Sequence, residues 1–161
     1  MAKKRVDKKE YGDRVVATNR RARHDYELLD GTEAGMQLIG SEVRALRENG
    51  GDLSEAWVDF NRGQAWLKGM RIPMLKHAAF AHEEKRNRKL LLHRAQIETL
   101  RGSVEREGLT LIATKCYFKD GRAKVEICLA RGKKQHDKRH AIKARDADRE
   151  ARAAISRGRK G

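Results

Sequence analysis

Residues 109–130 read LTLIATKCYFKDGRAKVEICLA. Apolar and polar residues alternate on either side of Asp120-Gly121, a pair suited to the two-residue turn of a β-hairpin. A period of two puts successive side chains on opposite faces of a strand, whereas a helix would scatter them around its circumference. With Lys119 placed opposite Arg122, the numbers of facing residues sum to 241. Cys116 then faces Val125 and Ala113 faces Cys128, so the two thiols are not opposed and no disulfide is expected between them. In this register Ile112, Cys116, Ala123, Val125, Ile127 and Leu129 share one face, the expected core side. Lys124 points the other way, opposite Tyr117. That pair has two readings: a solvated lysine over a half-buried ring, or a cation and an aromatic that together hold RNA by phosphate charge and base stacking.

Other strand signals lie upstream. Residues 56–70, AWVDFNRGQAWLKGM, read as strand, turn at Asn61-Arg62-Gly63, strand. Residues 24–40, HDYELLDGTEAGMQLIG, hold two short runs around a turn-rich centre, Asp30-Gly31 to Ala34-Gly35, and read as a hairpin or a bent strand pair. Two helices interrupt the strands. In SEVRALRENGG (41–51) Ser41 is the expected cap, Val43 and Leu46 stand three apart, and Gly50-Gly51 stop the helix. In HRAQIETLRGSVERE (93–107) Ile97, Leu100 and Val104 form an apolar stripe, and Gly108 ends it. Residues 76–88, KHAAFAHEEKRNR, have no period and read as a loop. Five or six short strands with inserted helices predict a mainly β domain: a small closed antiparallel β-barrel related to the OB-fold, with two or three short helices.

Charge points to the partner. The chain of 161 residues carries a formal net charge of +15, with 39% hydrophobic and 5% aromatic residues. One modest core is possible, and a polyanion, nucleic acid above all, is the expected ligand. Twelve Lys/Arg against four Asp/Glu give +8 from Arg131 onward, and five against two give +3 over residues 1–10, which leaves +4 for the rest. The expected organisation is a basic N-terminal extension (1–12), an RNA-binding barrel (13–130) and a basic C-terminal tail (131–161). No stretch approaches the ~20 apolar residues of a membrane span, and the N-terminus lacks the apolar run of a secretory signal. Two cysteines without metal-like spacing fit small buried residues in a reducing cytosol. There is no Walker loop, dinucleotide glycine fingerprint or His-Glu-x-x-His helix. Glu33, Glu42 and Glu83-Glu84 are scattered, and His24, His77, His82, His93, His136 and His140 form no ligand pattern, so each is expected on a surface or loop. No enzyme activity, cofactor or metal is expected.

Several stretches together are more specific. NRRARHDYELLDGTEAGMQLIGSEVRALR (19–47), RKLLLHRAQI (88–97) and GKKQHDKRHAIKARD (132–146) resemble the small protein B (SmpB) family in order and distance, and the resemblance runs over nearly the whole chain. It implies a barrel that binds the tRNA-like domain of transfer-messenger RNA. It further implies delivery of that RNA to the empty A site of ribosomes stalled on messages without a stop codon. A tail in the empty mRNA channel would report that no message is there, and the nascent chain would be tagged for degradation. The implied partners are transfer-messenger RNA and the ribosome (small-subunit RNA at the decoding centre and mRNA channel). Alanyl-tRNA synthetase and elongation factor Tu would be met only through the RNA. The implied protein is a cytoplasmic monomer.

The family's RNA-contacting positions fall on Asn19, Arg20, Arg21, Arg23, Glu33, Leu91 and Lys124. Asn19 equally suits a turn or strand end. Glu33 either accepts hydrogen bonds from base amino groups or a 2′-hydroxyl, or stabilises the turn before Ala34-Gly35. Leu91 either stacks under a base or belongs to the core. The tail signature falls on Gly132, Lys133, Lys134, His136, Asp137, Lys138 and Arg139, followed by Ile142, Lys143 and Arg145, with His136 the planar group able to stack on a base. At ~100° per residue Lys134, Lys138, Arg145, Arg149 and Arg152 fall within about 80° of one another, with Ile142 among them. Such a stripe exists only in a helix, and with little apolar surface to bury, the composition argues for disorder of the free chain and a helix on an anionic wall. Where relatives carry an aromatic, this tail has Ala147, so its channel contacts would be mainly electrostatic. A general RNA-binding or ribosome-associated structural protein would explain the charge but not the uncharged or acidic Asn19, Glu33 and Leu91. A ribonuclease built from scattered histidines and carboxylates is a third reading.

Overall fold

The computed structural model describes residues 14–76, 82–133 and 145–155. Its elements follow in the order β1 (Arg14–Thr18), α1 (Ala22–Asp25), β2 (Tyr26–Met36), α2 (Gly40–Asn49), β3 (Trp57–Asn61), β4 (Gln64–Lys68), β5 (Arg88–Leu91), α3 (Arg94–Glu107), β6 (Thr110–Lys119) and β7 (Arg122–Gly132). Every pairing is antiparallel. The ring runs β6–β3–β4–β5–β2–β7 and closes through β6–β7, while β1 lies along the distal half of β6. Closure leaves no long sheet edge exposed, which protects the strands from pairing with other chains. The expected barrel is present.

Local chemistry explains most elements. Arg62-Gly63 and Asp120-Gly121 all have positive φ, the geometry that tight two-residue hairpin turns require. Gly50 caps α2 at φ 72°, and a Cβ there would come within 2.6 Å of the Val16 carbonyl oxygen. Only glycine allows the helix end to meet β1 so closely. Inside the ring, Leu46 of α2 and Ile97 and Leu100 of α3 join Leu67, Leu90, Leu111, Phe118, Val125 and Ile127 in one core. The Arg47 guanidinium lies 4.1 Å from the centre of the Phe118 ring, a cation–π contact tying α2 to β6.

Several expectations are corrected. Residues 24–40 hold no hairpin: β2 is one eleven-residue strand, bent by a register shift between Leu28 and Gly31 opposite β7. The turn-forming pair Asp30-Gly31 is absorbed as a bulge rather than a reversal. In the β6–β7 hairpin the 241 register holds from Lys119↔Arg122 to Lys115↔Glu126, then shifts by one at Thr114. Cys128 therefore faces Ile112, not Ala113. Leu111 and Ala113 turn into the main core, and Ile112 packs outside it with Ala22 and Ala130. Both thiols are free and buried, and burial pushes the Cys116 pKa up to about 12. Ser41 is not the α2 cap; the Ile39 N–H donates instead to Glu42 Oε1 at 3.1 Å. The short α1 has no counterpart in the sequence reading. Among the described residues no helix is long and apolar enough to cross a membrane.

Residues 145–155 are helical, where composition argued for disorder of the free chain. Alanine is the best helix former, and Asp148 and Arg152 pair across one turn at 3.1 Å, which supplies the local reason.

The least expected feature is buried charge. Glu42 and Arg88 are both fully buried, and the Arg88 Nε–H donates to Glu42 Oε2. Arg86 donates to the other carboxylate oxygen at 2.5 Å. Arg88 also donates to the Met70 and Glu84 carbonyls at 2.8 and 3.1 Å. Beside them His82, expected on a surface or loop, is buried in its loop. Its Nε2 donates to the Ile72 carbonyl at 2.9 Å and its Nδ1 is hydrogen-bonded with Ser41 Oγ at 3.1 Å. Burial opposes ionisation of Glu42, but the hydrogen bonds from Arg86 and the Ile39 amide, and the charge of Arg88, outweigh it and hold the carboxyl below its ordinary value. Removing one partner of such a pair leaves the other charge buried alone. Glu42→Gln is expected to cost about 3 kcal/mol in urea denaturation. Because the folded pKa is the lower one, the stability tied to ionised Glu42 is complete above the unfolded value near 4.5 and is lost as pH falls below it. The acid limb of a stability–pH curve should therefore be shallower in Glu42→Gln than in the parent chain.

Candidate nucleic-acid interface

Strand register places the predicted residues. Tyr117 pairs with Lys124 across β6–β7, Lys124 with Gly35 across β7–β2, and Gly35 with Leu91 across β2–β5. These four form one rung on the outer face of the barrel, because their neighbours Ala34, Leu90, Val125 and Phe118 point into the core. Gly35 has no side chain, and a Cβ there would lie 3.1 Å from the Leu91 Cβ. Leu91 thus lies across its neighbour and is 56% exposed: it is not core. Glu33 stands one rung away, opposite Glu126, which in turn pairs with Lys115.

The rung is electrostatically organised. The Tyr117 hydroxyl donates to Glu33 Oε2, and Lys119 Nζ stands 3.7 Å from the same oxygen. The tyrosine hydrogen bond, helped by Lys119 and Lys124, outweighs the opposing effect of desolvation and holds the Glu33 carboxyl below its ordinary value. Desolvation and the Glu33 carboxylate push the Tyr117 hydroxyl far above its usual pKa, so it stays a donor. Lys115 Nζ lies 5.5 Å from the centre of the Tyr117 ring. A concavity of about 760 Å³ opens over this surface, with Glu33, Leu91 and Lys124 in its lining. Arg62, Lys89 and Arg94 line its other side. The one carboxylate is a fixed acceptor in a basic setting. It can take hydrogen bonds from base amino groups, while the cations attract phosphates and the ring and aliphatic surface accept stacked bases.

Asn19 and the arginines form a second cluster. The Asn19 side chain is turned inward: Nδ2 donates to the Ala113 carbonyl at 3.0 Å and Oδ1 accepts from the Ala22 amide at 3.2 Å. It fixes the start of α1, where Arg20, Arg21 and Arg23 are exposed. The base of the tail is fastened here too, since Gly132 pairs with Tyr26, Lys133 Nζ donates to the Arg23 carbonyl at 2.9 Å, and the Lys133 amide donates to the Asp25 carbonyl at 3.1 Å. Lys124 and Gly132 lie eight residues apart on β7, roughly 26 Å at ~3.3 Å per residue. The structure therefore gathers Glu33, Leu91 and Lys124 at one end of β7 and the arginine run with Gly132 and Lys133 at the other. Arg145 is exposed on the 145–155 helix. Lys134, His136, Asp137, Lys138, Arg139, Ile142 and Lys143 lie outside the described residues.

The sequence reading missed Lys115, Lys119, Lys89, Arg62 and Arg94. The hairpin register could have found the first two, since both share the outward parity of Tyr117 beyond the Thr114 bulge. The others depend on β5 lying between β2 and β4, which no local pattern reveals. Tyr117→Phe removes the donor to Glu33, so the Glu33 pKa is expected to rise toward its ordinary value. A side-chain carboxyl titration by NMR of the two proteins reads this directly.

The chain was compared with known proteins. The family model described as SmpB protein matches residues 16–157. An SsrA-binding protein of Mycobacteroides abscessus is 48% identical over 162 residues, covering 100% of this chain and 99% of its own length. One from Sorangium cellulosum is 50% identical over 150 residues, covering 93% of each. A solved structure described as "tmRNA-SmpB: a journey to the center of the bacterial ribosome" contains a chain with 41% identity and a TM-score of 0.64, covering 80% of this chain and 94% of its own. Barrel, motif order and full-length similarity agree, and the chain belongs to the SmpB family.

Proposed function

We propose that this chain binds the tRNA-like domain of transfer-messenger RNA through the outer face of β2, β5 and β7, as the RNA-binding adaptor of trans-translation. The observation that carries the reading is the rung Tyr117–Lys124–Gly35–Leu91 with Glu33 beside it. It combines phosphate attraction, a stacking surface and one fixed acceptor in a single place, and none of these groups is spent in the core. The relatives support the choice of RNA: they are SsrA-binding proteins, and the solved relative is described with tmRNA and the bacterial ribosome. Asn19 acts by holding the α1 turn so that Arg20, Arg21 and Arg23 face the phosphates. The chain does no covalent chemistry. It works as a monomer in the cytoplasm and meets alanyl-tRNA synthetase and elongation factor Tu only through the RNA.

The division of labour follows the charge. The body, 13–130, reads the RNA and carries it to the empty A site. The tail, 131–161, with Gly132 to Arg145 leading, becomes helical along the empty mRNA channel and licenses tagging. Residues 1–12 add phosphate attraction.

The test is competition binding at ~0.2 M salt, where purely electrostatic binding is strongly reduced. Glu33→Ala should weaken binding to the tRNA-like domain roughly tenfold, about 1.4 kcal/mol, while binding to unrelated RNA stays equal or strengthens. A rise in both would overturn the reading of Glu33 and leave a general RNA-binding protein. Changing Asp137, Lys138 and Arg139 together to Ala should abolish tagging in a reconstituted stalled-ribosome assay without loss of RNA binding. Normal tagging by that variant would remove the tail from the mechanism.

A further inference from the structure

The outward rung does not stop at Tyr117. Across β1–β6, Tyr117 pairs with Val15. The complete rung is Val15, Tyr117, Lys124, Gly35 and Leu91, on β1, β6, β7, β2 and β5. Val15 is 51% exposed, and Leu91 at the far end is 56% exposed. They are the two most exposed large aliphatic side chains on the described strands. Four strand steps of ~4.8 Å separate them, about 19 Å along the curved face. A β-sheet with water on one side ordinarily places polar residues outward, so two bare aliphatics ending a rung around an aromatic and a lysine are out of pattern.

The Val15 end has its own concavity. It measures about 210 Å³ and is lined by Arg14, Val15, Lys115, Tyr117, Lys119 and Glu126. Tyr117 lines this smaller hollow, with its strand partner Val15 on one side and, on the other, Glu33 and Lys124, which line the larger concavity. Its hydroxyl is engaged by Glu33, which fixes the ring between them. Three cations, Arg14, Lys115 and Lys119, surround the smaller hollow, against the single carboxylate of Glu126. That carboxylate already accepts from Thr114 Oγ1 at 2.9 Å. Lys115 has no carboxylate within ion-pair distance among the described residues, and its ammonium lies over the Tyr117 ring. An apolar floor, an aromatic wall and a cation with no carboxylate partner among the described residues suit a nucleotide, with its base against Val15 and the tyrosine and its phosphate on Lys115.

We infer that the RNA strand bound at Glu33, Leu91 and Lys124 continues over Tyr117 into a second subsite on β1 and β6, where Val15 takes a base and Lys115 a phosphate. The inference rests on the proposed RNA face and extends it to residues outside that reading. A continuing RNA strand is the occupant because Tyr117, which lines this hollow, hydrogen-bonds Glu33 and pairs with Lys124, both of which line the first concavity, and because cations border each hollow.

The experiment uses the full chain and a labelled tRNA-like domain RNA, with affinities measured over a series of salt concentrations. Val15 is at the surface, so Val15→Glu should leave the melting temperature close to that of the parent while weakening binding at least tenfold. Val15→Ile should bind within about twofold of the parent. Lys115→Ala should lower the slope of log affinity against log salt by close to one unit, the loss of one phosphate contact. Parent-like affinity and slope for Val15→Glu and Lys115→Ala, with Glu33→Ala and Lys124→Ala still weakened, would end the footprint at Tyr117 and overturn this inference alone. Parent-like binding by all four variants would overturn the RNA face itself.

Discussion

The buried contact between Glu42 and Arg88 is the constraint on which the barrel depends. Glu42 lies in the first turn of α2 and Arg88 opens β5, separated by forty-five residues of chain. Arg88 also ties itself to the Met70 and Glu84 carbonyls, and Arg86 and the Ile39 amide complete the carboxylate's shell. One ion pair thereby fixes the helix after β2, the end of the β3–β4 hairpin and the start of β5 relative to one another. Burying two charges is costly in itself, so the pair acts through geometry: it is tolerable in one arrangement and penalised in all others. With β5 fixed beside β2, Leu91 reaches Gly35, and the outer rung exists.

In the proposed function that rung separates attraction from reading. The chain's net charge of +15 draws it to any polyanion. Discrimination needs groups with direction. Glu33 has direction because Tyr117 holds one of its oxygens, and its depressed pKa keeps it an acceptor at neutral pH. Gly35 contributes by absence, since any side chain there would crowd Leu91. A carboxylate amid lysines costs overall attraction, and such a group makes physical sense where the partner supplies hydrogen-bond donors.

Asn19 shows how a proposed contact position and a structural position coincide. Its amide is satisfied inside the protein, between Ala113 and Ala22, and the arginines that follow are presented by the turn it stabilises. The same turn receives Lys133, so the basic run and the base of the tail share one support. A change at Asn19 would be felt by both.

The amino-acid sequence by itself determined the β-rich class, the two hairpin turns, the helix ends at Gly50 and Gly108, the outward facing of Lys124 and the basic character of both termini. These depend on period, turn chemistry and charge, which act over a few residues. Its motifs also named Glu33, Leu91 and Lys124 without showing why they belong together. Only the tertiary structure decided the bulges at Leu28–Gly31 and at Thr114, which turn a presumed hairpin into one bent strand and send Leu111 rather than Ile112 into the core. It alone made Glu42 and Arg88 partners, although Gly40-Ser41-Glu42-Val43 and Arg88-Lys89-Leu90-Leu91-Leu92 were each conspicuous. The reason is physical. A bulge is chosen by the packing of both faces of a closed sheet, and a buried ion pair by which strands lie side by side. Both are settled by long-range contacts that local propensity does not encode.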